Sequence, residues 1–329
     1  MTLILGLETS CDETACAIVQ DGRKIVAQSV KTQALIHQTF GGVIPEVAAR
    51  HHLEAINEVI DDVLQESKID KNDLTAIACT NGPGFVGALL VGLSAAKAIS
   101  WSWSKPLIAV DHLFAHVCAN YIDTDLEPPF LCLLVSGGHT QLVHFSDYQT
   151  STILGQTLDD AVGEAYDKVA RMLGLGYPGG PAIDKLARNG DPDAFALPEG
   201  NVDEFDFSYS GLKTAVLRTI EKLEKNNDQE KLPVEDLAAS FQKAANQILV
   251  KKTLQAAKQL GLSTVVLAGG VAANSDLRKR FSDLSAVKVF MPPLKYCTDN
   301  AVMVAACAHF MNVNAQMNVS VYSRQKRKR

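Results

Sequence analysis

The sequence predicts an α/β protein made of two similar halves. Short apolar runs alternate with amphipathic helical segments, the same order of elements occurs twice, and glycine-rich loops follow strands in both halves. The chain has 329 residues, 47% hydrophobic and 21% charged, with a formal net charge of −6. This composition is typical of a globular protein, and it excludes a disordered chain or one that coats nucleic acid through bulk positive charge.

The first half opens with two predicted strands. Residues 3–7 and 15–19 are apolar runs joined by a polar turn that contains Asp12. Pro45 then starts a predicted helix, because the apolar residues that follow recur at spacings of three and four. A further strand ends at Cys79 and leads through a glycine-rich loop into a helix of small residues.

The second half repeats this order. Residues 130–135 and 140–145 again predict two strands around a polar turn, and residues 264–267 predict a strand before a glycine loop and a helix. Extra residues at about 155–232 interrupt the pattern with turn-forming and charged segments. The sequence therefore predicts a duplicated α/β unit with one insertion in its second copy.

These repeats predict two lobes with a central cleft between them. The N-terminal lobe is expected at 1–110, and the C-terminal lobe, with its insertion at about 155–232, at 111–311. We expect the last helix, 299–311, to pack back on the first lobe and a basic, flexible tail to follow at 312–329. Paired hairpins facing such a cleft are typical of actin-like and sugar-kinase-like folds, which hold a nucleotide there.

His112 and His116 lie where a predicted strand becomes a helix. Side chains at this spacing share one helix face, which suits two ligands of one metal ion. Leu113 takes the position at which the zinc-protease motif H-E-x-x-H has its general-base glutamate, so hydrolysis by that route is disfavoured. Asp299, at the start of the last helix, is the best-placed further ligand, and an N-cap role explains it equally well.

Two glycine loops follow buried strands of the second half. In 136–139 and 268–270, unhindered backbone N–H groups can approach an anion, although a tight turn would explain either loop alone. Together the loops favour a nucleotide or phosphate site. Four further residues have groups suited to ribose hydroxyls or a base edge, and singly each is also explained as a cap or surface group: Asp167, Gly180, Asp184 and Asn274.

A dinucleotide-binding Rossmann fold is an alternative interpretation. Residues 82–87 match G-x-G-x-x-G, follow a strand and open a helix. The motif is not in the first strand–helix unit, however, and the chain opens with a hairpin where that fold begins with a βαβ unit. Both features count against the Rossmann interpretation.

Seven motifs occur in an order and spacing that resemble the bacterial TsaD family, also called Gcp or YgjD. They are ETSCDET at 8–14, GPG at 82–84, H-x-x-x-H at 112–116, VSGGHT at 135–140, YPGGP at 177–181, SYSGLKT at 208–214 and GGVAAN at 269–274. The resemblance extends from about residue 3 to residue 310. It implies an actin-like (ASKHA) fold and a tRNA N6-adenosine threonylcarbamoyltransferase activity.

The resemblance also implies a reaction and its site. The threonylcarbamoyl group would pass from threonylcarbamoyl-AMP to N6 of the adenosine beside the anticodon, in tRNAs that read codons beginning with A. By matching motif, His112, His116 and Asp299 resemble the family's ligands for one divalent iron or zinc ion. The positions that resemble its adenylate-binding residues are Val135, Ser136, Gly137, Gly138, His139, Asp167, Gly180, Asp184 and Asn274.

Asp12 is the candidate catalytic residue, because it lies in the first hairpin turn and could orient or deprotonate the N6 amine, although a turn-forming role explains an acid there equally well. Expected partners are tRNA, a TsaB-like homologue and a TsaE-like ATPase, with a TsaC-type synthase supplying the substrate. No secretory signal and no apolar run of bilayer length is visible, so we expect a cytoplasmic protein. An O-sialoglycoprotein metalloendopeptidase would also explain the histidine pair, and a non-catalytic nucleotide-binding scaffold would also explain an actin-like fold.

Overall fold

The computed structural model describes residues 1–200, 202–226, 232–311 and 317–324. Its strands in chain order are β1 (Leu3–Glu8), β2 (Glu13–Gln20), β3 (Lys24–Thr32), β4 (Ala76–Gly82), β5 (Leu107–Asp111), β6 (Phe130–Val135), β7 (Thr140–Phe145), β8 (Ser151–Gln156), β9 (Thr264–Ala268) and β10 (Lys288–Phe290). Its α-helices are α1 (Ala34–Gln38), α2 (Pro45–Ser67), α3 (Val86–Ser102), α4 (His112–Cys118), α5 (Val162–Met172), α6 (Gly179–Ala187), α7 (Ser210–Asn226), α8 (Val234–Gln259), α9 (Ser275–Ser282) and α10 (Ala301–Met311).

The chain divides into two compact units. Unit 1 comprises Met1–Glu127 and Pro292–Arg329, and unit 2 comprises Pro128–Met291. Residues 111–127 therefore belong with unit 1, whereas the sequence predicted a boundary after residue 110. The last helix belongs with unit 1 as well. The difference arises because α10 packs on β1, β2 and α4, so that the chain leaves unit 1 only before β6.

Unit 1 contains a five-stranded sheet in the order β3-β2-β1-β4-β5. The β1–β2 and β2–β3 pairs are antiparallel, and the β1–β4 and β4–β5 pairs are parallel. Every residue of β1 is buried, because helices cover both faces of the centre of the sheet. Leu5, Ile18, Ile60 and Ile77 belong to the resulting core.

Unit 2 contains a second sheet in the order β10-β9-β6-β7-β8. Its β6–β7 and β7–β8 pairs are antiparallel, and its β6–β9 and β9–β10 pairs are parallel, as in unit 1. The two sheets thus share one topology. Between the third and fourth strands of the repeat, unit 1 has α1 and α2, whereas unit 2 has α5 to α8, and the extra residues lie there.

The tail differs from the flexible segment that the sequence predicted. Of its residues, 317–324 are described, and 312–316 and 325–329 lie outside the described residues. Val319 and Val321 pack against the core of unit 1, and Lys97 Nζ donates a hydrogen bond to the carbonyl oxygen of Val319 at 2.6 Å. The apolar side chains of this segment explain why it packs on unit 1, although the basic residues around it make them hard to recognise in the sequence.

No helix in the described ranges has both the length and the apolar character needed to cross a lipid bilayer.

Candidate metal centre

The N-terminus of α4 presents two histidines on one face. Asp111 ends β5 and caps α4, because its Oδ1 accepts hydrogen bonds from the backbone N–H groups of Leu113 (2.9 Å) and Phe114 (3.2 Å). The cap fixes the first turn of the helix. The rings of His112 and His116 consequently lie with their centroids 4.6 Å apart.

Asp299 joins the two histidines from the segment before α10. Its Oδ1 lies 3.5 Å from His112 Nε2 and 3.2 Å from His116 Nε2. One ligand atom from each of the three side chains lies within 4.8 Å of the others. Asp299 does not cap α10: Asn300 Oδ1 accepts the hydrogen bond from the N–H of Met303 at 2.9 Å. The carboxylate of Asp299 is therefore available to a ligand.

The charges and donor atoms of this cluster fit a divalent cation. Burial alone would raise the pKa of Asp299, but the adjacent imidazoles, His112 first, lower it to about 2. Burial would likewise lower the pKa of His112, but Asp299 and then Glu8 raise it to about 9. The site thus favours positive charge. Two imidazole nitrogens and one carboxylate oxygen are donors that zinc and iron accept.

Glu8 and Ser10 hold the ring of His112. The Nδ1 atom of His112 lies 3.1 Å from Ser10 Oγ and 3.4 Å from Glu8 Oε2. Glu8 is fully buried, and Thr80 Oγ1 donates to its Oε2 at 2.6 Å. A carboxylate only accepts, so Nδ1 carries a proton, and Nε2, which faces Asp299, is the nitrogen that would bind a metal ion after losing its own proton. This role of Glu8 was not predicted from the sequence, although a carboxylate that ends a buried apolar strand was a usable signal.

The C-terminal segment supports the same helix. Tyr322 Oη donates a hydrogen bond to Oδ2 of Asp111 at 2.6 Å, so this carboxylate both caps α4 and binds the tail. The N–H of Tyr322 donates to the carbonyl oxygen of Asn81 at 3.0 Å. Gly82 has a φ of +148°, and a Cβ there would lie 2.3 Å from the carbonyl oxygen of Tyr322. Nothing in the local sequence around Tyr322 indicated this contact.

The glycines of the segment 82–87 also have a packing role. A Cβ on Gly84 would lie 2.7 Å from the carbonyl oxygen of Ser10, so this loop needs glycine to approach the turn after β1. The first pair of strands in the sheet, β1 and β2, is antiparallel. The Rossmann interpretation is therefore wrong, because that fold begins with a parallel βαβ unit.

Asp12 lies in the turn between β1 and β2, and its carbonyl oxygen accepts a hydrogen bond from the N–H of Gln33 at 3.0 Å. Its side chain is half-buried. The next residue, Glu13, is also unusual: burial first, and the charge of Asp12 second, raise its pKa to about 8.

The predicted adenylate-binding residues all belong to unit 2. In the turn 136–139, the N–H of Ser136 donates to the carbonyl oxygen of His139 at 2.8 Å. A Cβ on Gly137 or Gly138 would meet no atom within 4 Å, so there is space where their side chains would be, whereas a Cβ on Gly163 would lie 2.9 Å from the nitrogen of Gly137, so α5 approaches this backbone closely. Gly269 has a φ of +90°, and a Cβ on it would lie 2.4 Å from the carbonyl oxygen of Val135, which brings the two glycine loops together.

The remaining predicted residues lie around α6 and α9. Asp167 Oδ1 accepts from the N–H of Gly179, next to Gly180, at 2.8 Å. Asp184 Oδ1 accepts from the hydroxyl of Ser275 at 2.8 Å. Asn274 caps α9, because its Oδ1 accepts from the N–H of Leu277 at 2.9 Å, and its Nδ2 donates to Gln242 Oε1 at 2.8 Å. These side chains therefore have structural hydrogen bonds as well as any role in binding.

Known proteins resemble this chain in sequence. A family model described as "TsaD: tRNA N6-adenosine threonylcarbamoyltransferase" matches residues 24–306. The tRNA N6-adenosine threonylcarbamoyltransferase of Thermosipho africanus is 52% identical over 313 residues, which cover 93% of each chain. The protein of the same name from Gloeothece citriformis is 51% identical over 338 residues, covering 98% of this chain and 97% of that one.

Solved structures resemble the fold. HypF from T. kodakarensis has a TM-score of 0.65 at 14% identity, covering 94% of this chain and 48% of that chain. Component A of the (R)-2-hydroxyglutaryl-CoA dehydratase of Acidaminococcus fermentans has a TM-score of 0.52 at 16% identity, covering 94% of this chain and 98% of that chain. Together with the repeated sheet topology, these likenesses identify the duplicated, two-lobe, actin-like α/β fold that the sequence predicted.

Proposed function

The chain belongs to the TsaD family of tRNA N6-adenosine threonylcarbamoyltransferases, and we propose that its transfer reaction takes place beside a metal ion held by His112, His116 and Asp299. The observation that carries this proposal is the approach of three ligand atoms to within 4.8 Å of one another from distant parts of the sequence. Iron and zinc are the proposed metals, because both accept this mixture of nitrogen and oxygen donors.

The proposed donor is threonylcarbamoyl-AMP. Adenosine N6 is an aromatic amine and a poor nucleophile, so its attack needs an activated carbonyl, and a mixed anhydride with AMP provides one. The new bond joins N6 to the carbonyl carbon, the bond from that carbon to the phosphate oxygen breaks, and AMP leaves with the electron pair. A bound divalent ion would supply positive charge that stabilises negative charge on the threonylcarbamoyl oxygens.

Side chains of unit 1 have separate parts in this proposal. Glu8 and Ser10 orient His112, so that its Nε2 faces the ligand position. Asp12 is the proposed catalytic residue, which orients the N6 amine or accepts its proton. Its support is its position in the turn after β1, whose last residue is Glu8.

Unit 2 is proposed to bind the adenylate. The space beside Gly137 and Gly138 supports an anion-binding role, because no side chain of these residues hinders the approach of a phosphate to the backbone. The proposed binding residues are Val135, Ser136, Gly137, Gly138, His139, Asp167, Gly180, Asp184 and Asn274. Asn274 would contribute only its second amide hydrogen, since its other groups are used within the protein.

The acceptor is tRNA, as the family's name states. We propose that the modified adenosine lies beside the anticodon of tRNAs that read codons beginning with A. We also propose that the protein acts in the cytoplasm together with a TsaB-like homologue and a TsaE-like ATPase. A TsaC-type synthase is the proposed source of its substrate.

The test combines nucleoside analysis with metal analysis. The protein is incubated with threonylcarbamoyl-AMP, unmodified tRNA and the proposed partners, and the digested tRNA is analysed by mass spectrometry. We expect the modified nucleoside from the unaltered protein and from His51→Ala, whose exposed ring contacts only Glu54 among the hydrogen bonds of the described residues. His112→Ala should lose both the product and the bound metal.

Two results would contradict the proposal. Retention of the modified nucleoside by His112→Ala without bound metal would remove the metal from the reaction. Cleavage of a glycoprotein with no modified nucleoside would favour a metalloendopeptidase.

A further inference from the structure

The turn that carries Asp12 is held at three successive carbonyl groups. The carbonyl oxygen of Ser10 accepts from the N–H of Phe85 at 2.9 Å, and that of Asp12 accepts from the N–H of Gln33 at 3.0 Å. Between them, the carbonyl oxygen of Cys11 lies 3.0 Å from His52 Nε2. The bond to Cys11 differs from the other two because a side chain makes it, and a substitution can therefore remove it.

The partners of His52 determine its protonation. A carbonyl oxygen only accepts, so Nε2 carries a proton and donates it to Cys11. The opposite nitrogen, Nδ1, lies 2.8 Å from Thr14 Oγ1 and accepts the hydroxyl hydrogen. His52 is fully buried, and this burial lowers its pKa, which keeps the ring neutral with one donor and one acceptor.

The hydrogen bonds continue away from the turn in one direction. Gln33 Nε2 lies 3.4 Å from His52 Nδ1, and Gln33 Oε1 lies 3.1 Å from Nε2 of the buried His37. His37 Nδ1 in turn accepts from the N–H of Ile44 at 3.4 Å. Thr14, at the shorter distance, uses the single lone pair of His52 Nδ1, and Gln33 also donates to the carbonyl oxygen of Ala48 at 3.3 Å, so His37, Gln33 and His52 form one buried polar cluster behind the turn. A buried series satisfied in this way specifies one geometry.

We propose that His52 is a positioning residue for Asp12, acting through its hydrogen bond to the carbonyl oxygen of Cys11. The inference rests on the proposed catalytic role of Asp12. Residues 9–12 lie between the strands β1 and β2 and have no ladder partners of their own. The hydrogen bond from His52, a residue of α2, to the carbonyl oxygen of Cys11 therefore fixes the peptide group that precedes Asp12. Displacement of a reacting group by about 1 Å can slow a reaction about 100-fold.

Two substitutions separate the two bonds of His52. In His52→Gln, the longer side chain brings its amide N–H to the position of Nε2 and can still donate to Cys11. In His52→Asn, the shorter side chain can accept from Thr14 but does not reach the carbonyl oxygen of Cys11. His51→Asn is the matched control, because His51 is the adjacent residue of the same helix and its ring is exposed and pairs with Glu54.

Activity is measured as kcat and KM for tRNA and for threonylcarbamoyl-AMP. We expect His52→Asn to lower kcat about 10- to 100-fold with little change in either KM. His52→Gln should restore kcat to within about threefold of the unaltered protein, and His51→Asn should leave it unchanged. The double variant His52→Asn, Asp12→Asn should have the same kcat as Asp12→Asn alone, because both changes act through Asp12.

Amide hydrogen exchange tests the same inference without activity. Exchange in a peptide covering residues 9–14 should be about tenfold faster in His52→Asn than in His52→Gln, with equal metal content and equal thermal midpoints. Equal exchange and equal kcat in the two variants would overturn the inference. If the unaltered protein makes no modified nucleoside, the proposed function fails, and the exchange data still decide whether His52 holds the turn.

Discussion

Glu13 shows how one partly buried side chain acquires an unusual acidity. Its Oε1 accepts from Thr32 Oγ1 at 3.1 Å, whereas its Oε2 has no hydrogen-bond partner among the residues that the structure describes. Burial and the adjacent Asp12 therefore keep the carboxyl group protonated at pH values where an exposed glutamate is ionised.

This acidity makes stability depend on pH. The pKa of Glu13 rises from an ordinary 4.5 to about 8, so the folded protein binds more protons than the unfolded chain between these values. The Glu13 contribution therefore decreases the free energy of unfolding as the pH rises through this window. Denaturant unfolding of the metal-free protein should show Glu13→Gln gaining stability relative to the unaltered chain from pH 5 to pH 8. Glu66→Gln, at an exposed carboxylate that makes no ion pair with the described residues, is the control without such a trend. A stability difference between Glu13→Gln and the unaltered protein that stays constant from pH 5 to pH 8 would contradict the prediction.

Single residues also show how far the sequence could predict the site. The spacing of His112 and His116 was sufficient to propose a shared ligand, because helix geometry fixes their relation. The role of Asp299 was ambiguous, because Asp and Asn have similar preferences for capping a helix. Asn300, one position later, makes the cap, and helix ends cannot be located to one residue from sequence.

At the scale of elements, the contact between β1 and α10 determines where Asp299 lies. A Cβ on Gly6 would lie 2.7 Å from the carbonyl oxygen of Ala301 and 2.8 Å from the N–H nitrogen of Ala305. The strand and the helix can therefore approach closely only because residue 6 has no side chain.

Gly6→Ala should separate this pair of elements. We expect a loss of about 1–3 kcal/mol in the free energy of unfolding, as for other overpacked cores, with weaker metal binding because Asp299 moves with α10. Denaturant unfolding and competition with a chelator measure the two effects. Gly211→Ala is the control, since a Cβ there meets no atom within 4 Å and α7 should gain up to about 1 kcal/mol. Equal stabilities for the two variants would refute the close contact.

Some elements were predictable and others were not. The buried strands β1 and β6 appear in the sequence as continuous apolar runs, which identify central strands. The edge strand β3 escaped prediction because exposed and partly buried residues alternate irregularly along it. β10 has only three residues, too few for a periodicity to be recognised.

At the scale of the whole molecule, unit 1 is discontinuous in sequence and unit 2 is continuous. The repeat predicted two halves, and the last helix was expected to pack back on the first lobe, although a helix buried on all sides has no polar face to indicate its partner. The ligands of the candidate metal site belong to both segments of unit 1.

This division predicts how fragments behave. Residues 128–291 should fold alone, because they form a complete sheet with its helices. Residues 1–127 should neither fold cooperatively nor bind zinc, whereas the same residues linked to 292–324 by a flexible segment should do both. Circular dichroism during heating and zinc titration distinguish the three chains. Tight zinc binding by 1–127 alone would show that Asp299 is dispensable.

The hydrogen bond between Tyr322 and Asp111 has a consequence for biosynthesis. A ribosome releases the histidine-bearing helix long before Asp299 and Tyr322, which lie far downstream in the sequence. Until then the nascent chain contains His112 and His116 without Asp299, and Asp111 has no hydrogen bond from Tyr322. Metal loading is therefore expected to follow synthesis of Asp299, and a message truncated before codon 299 would encode the strands of both sheets but leave unit 1 without α10 and the metal site without one ligand.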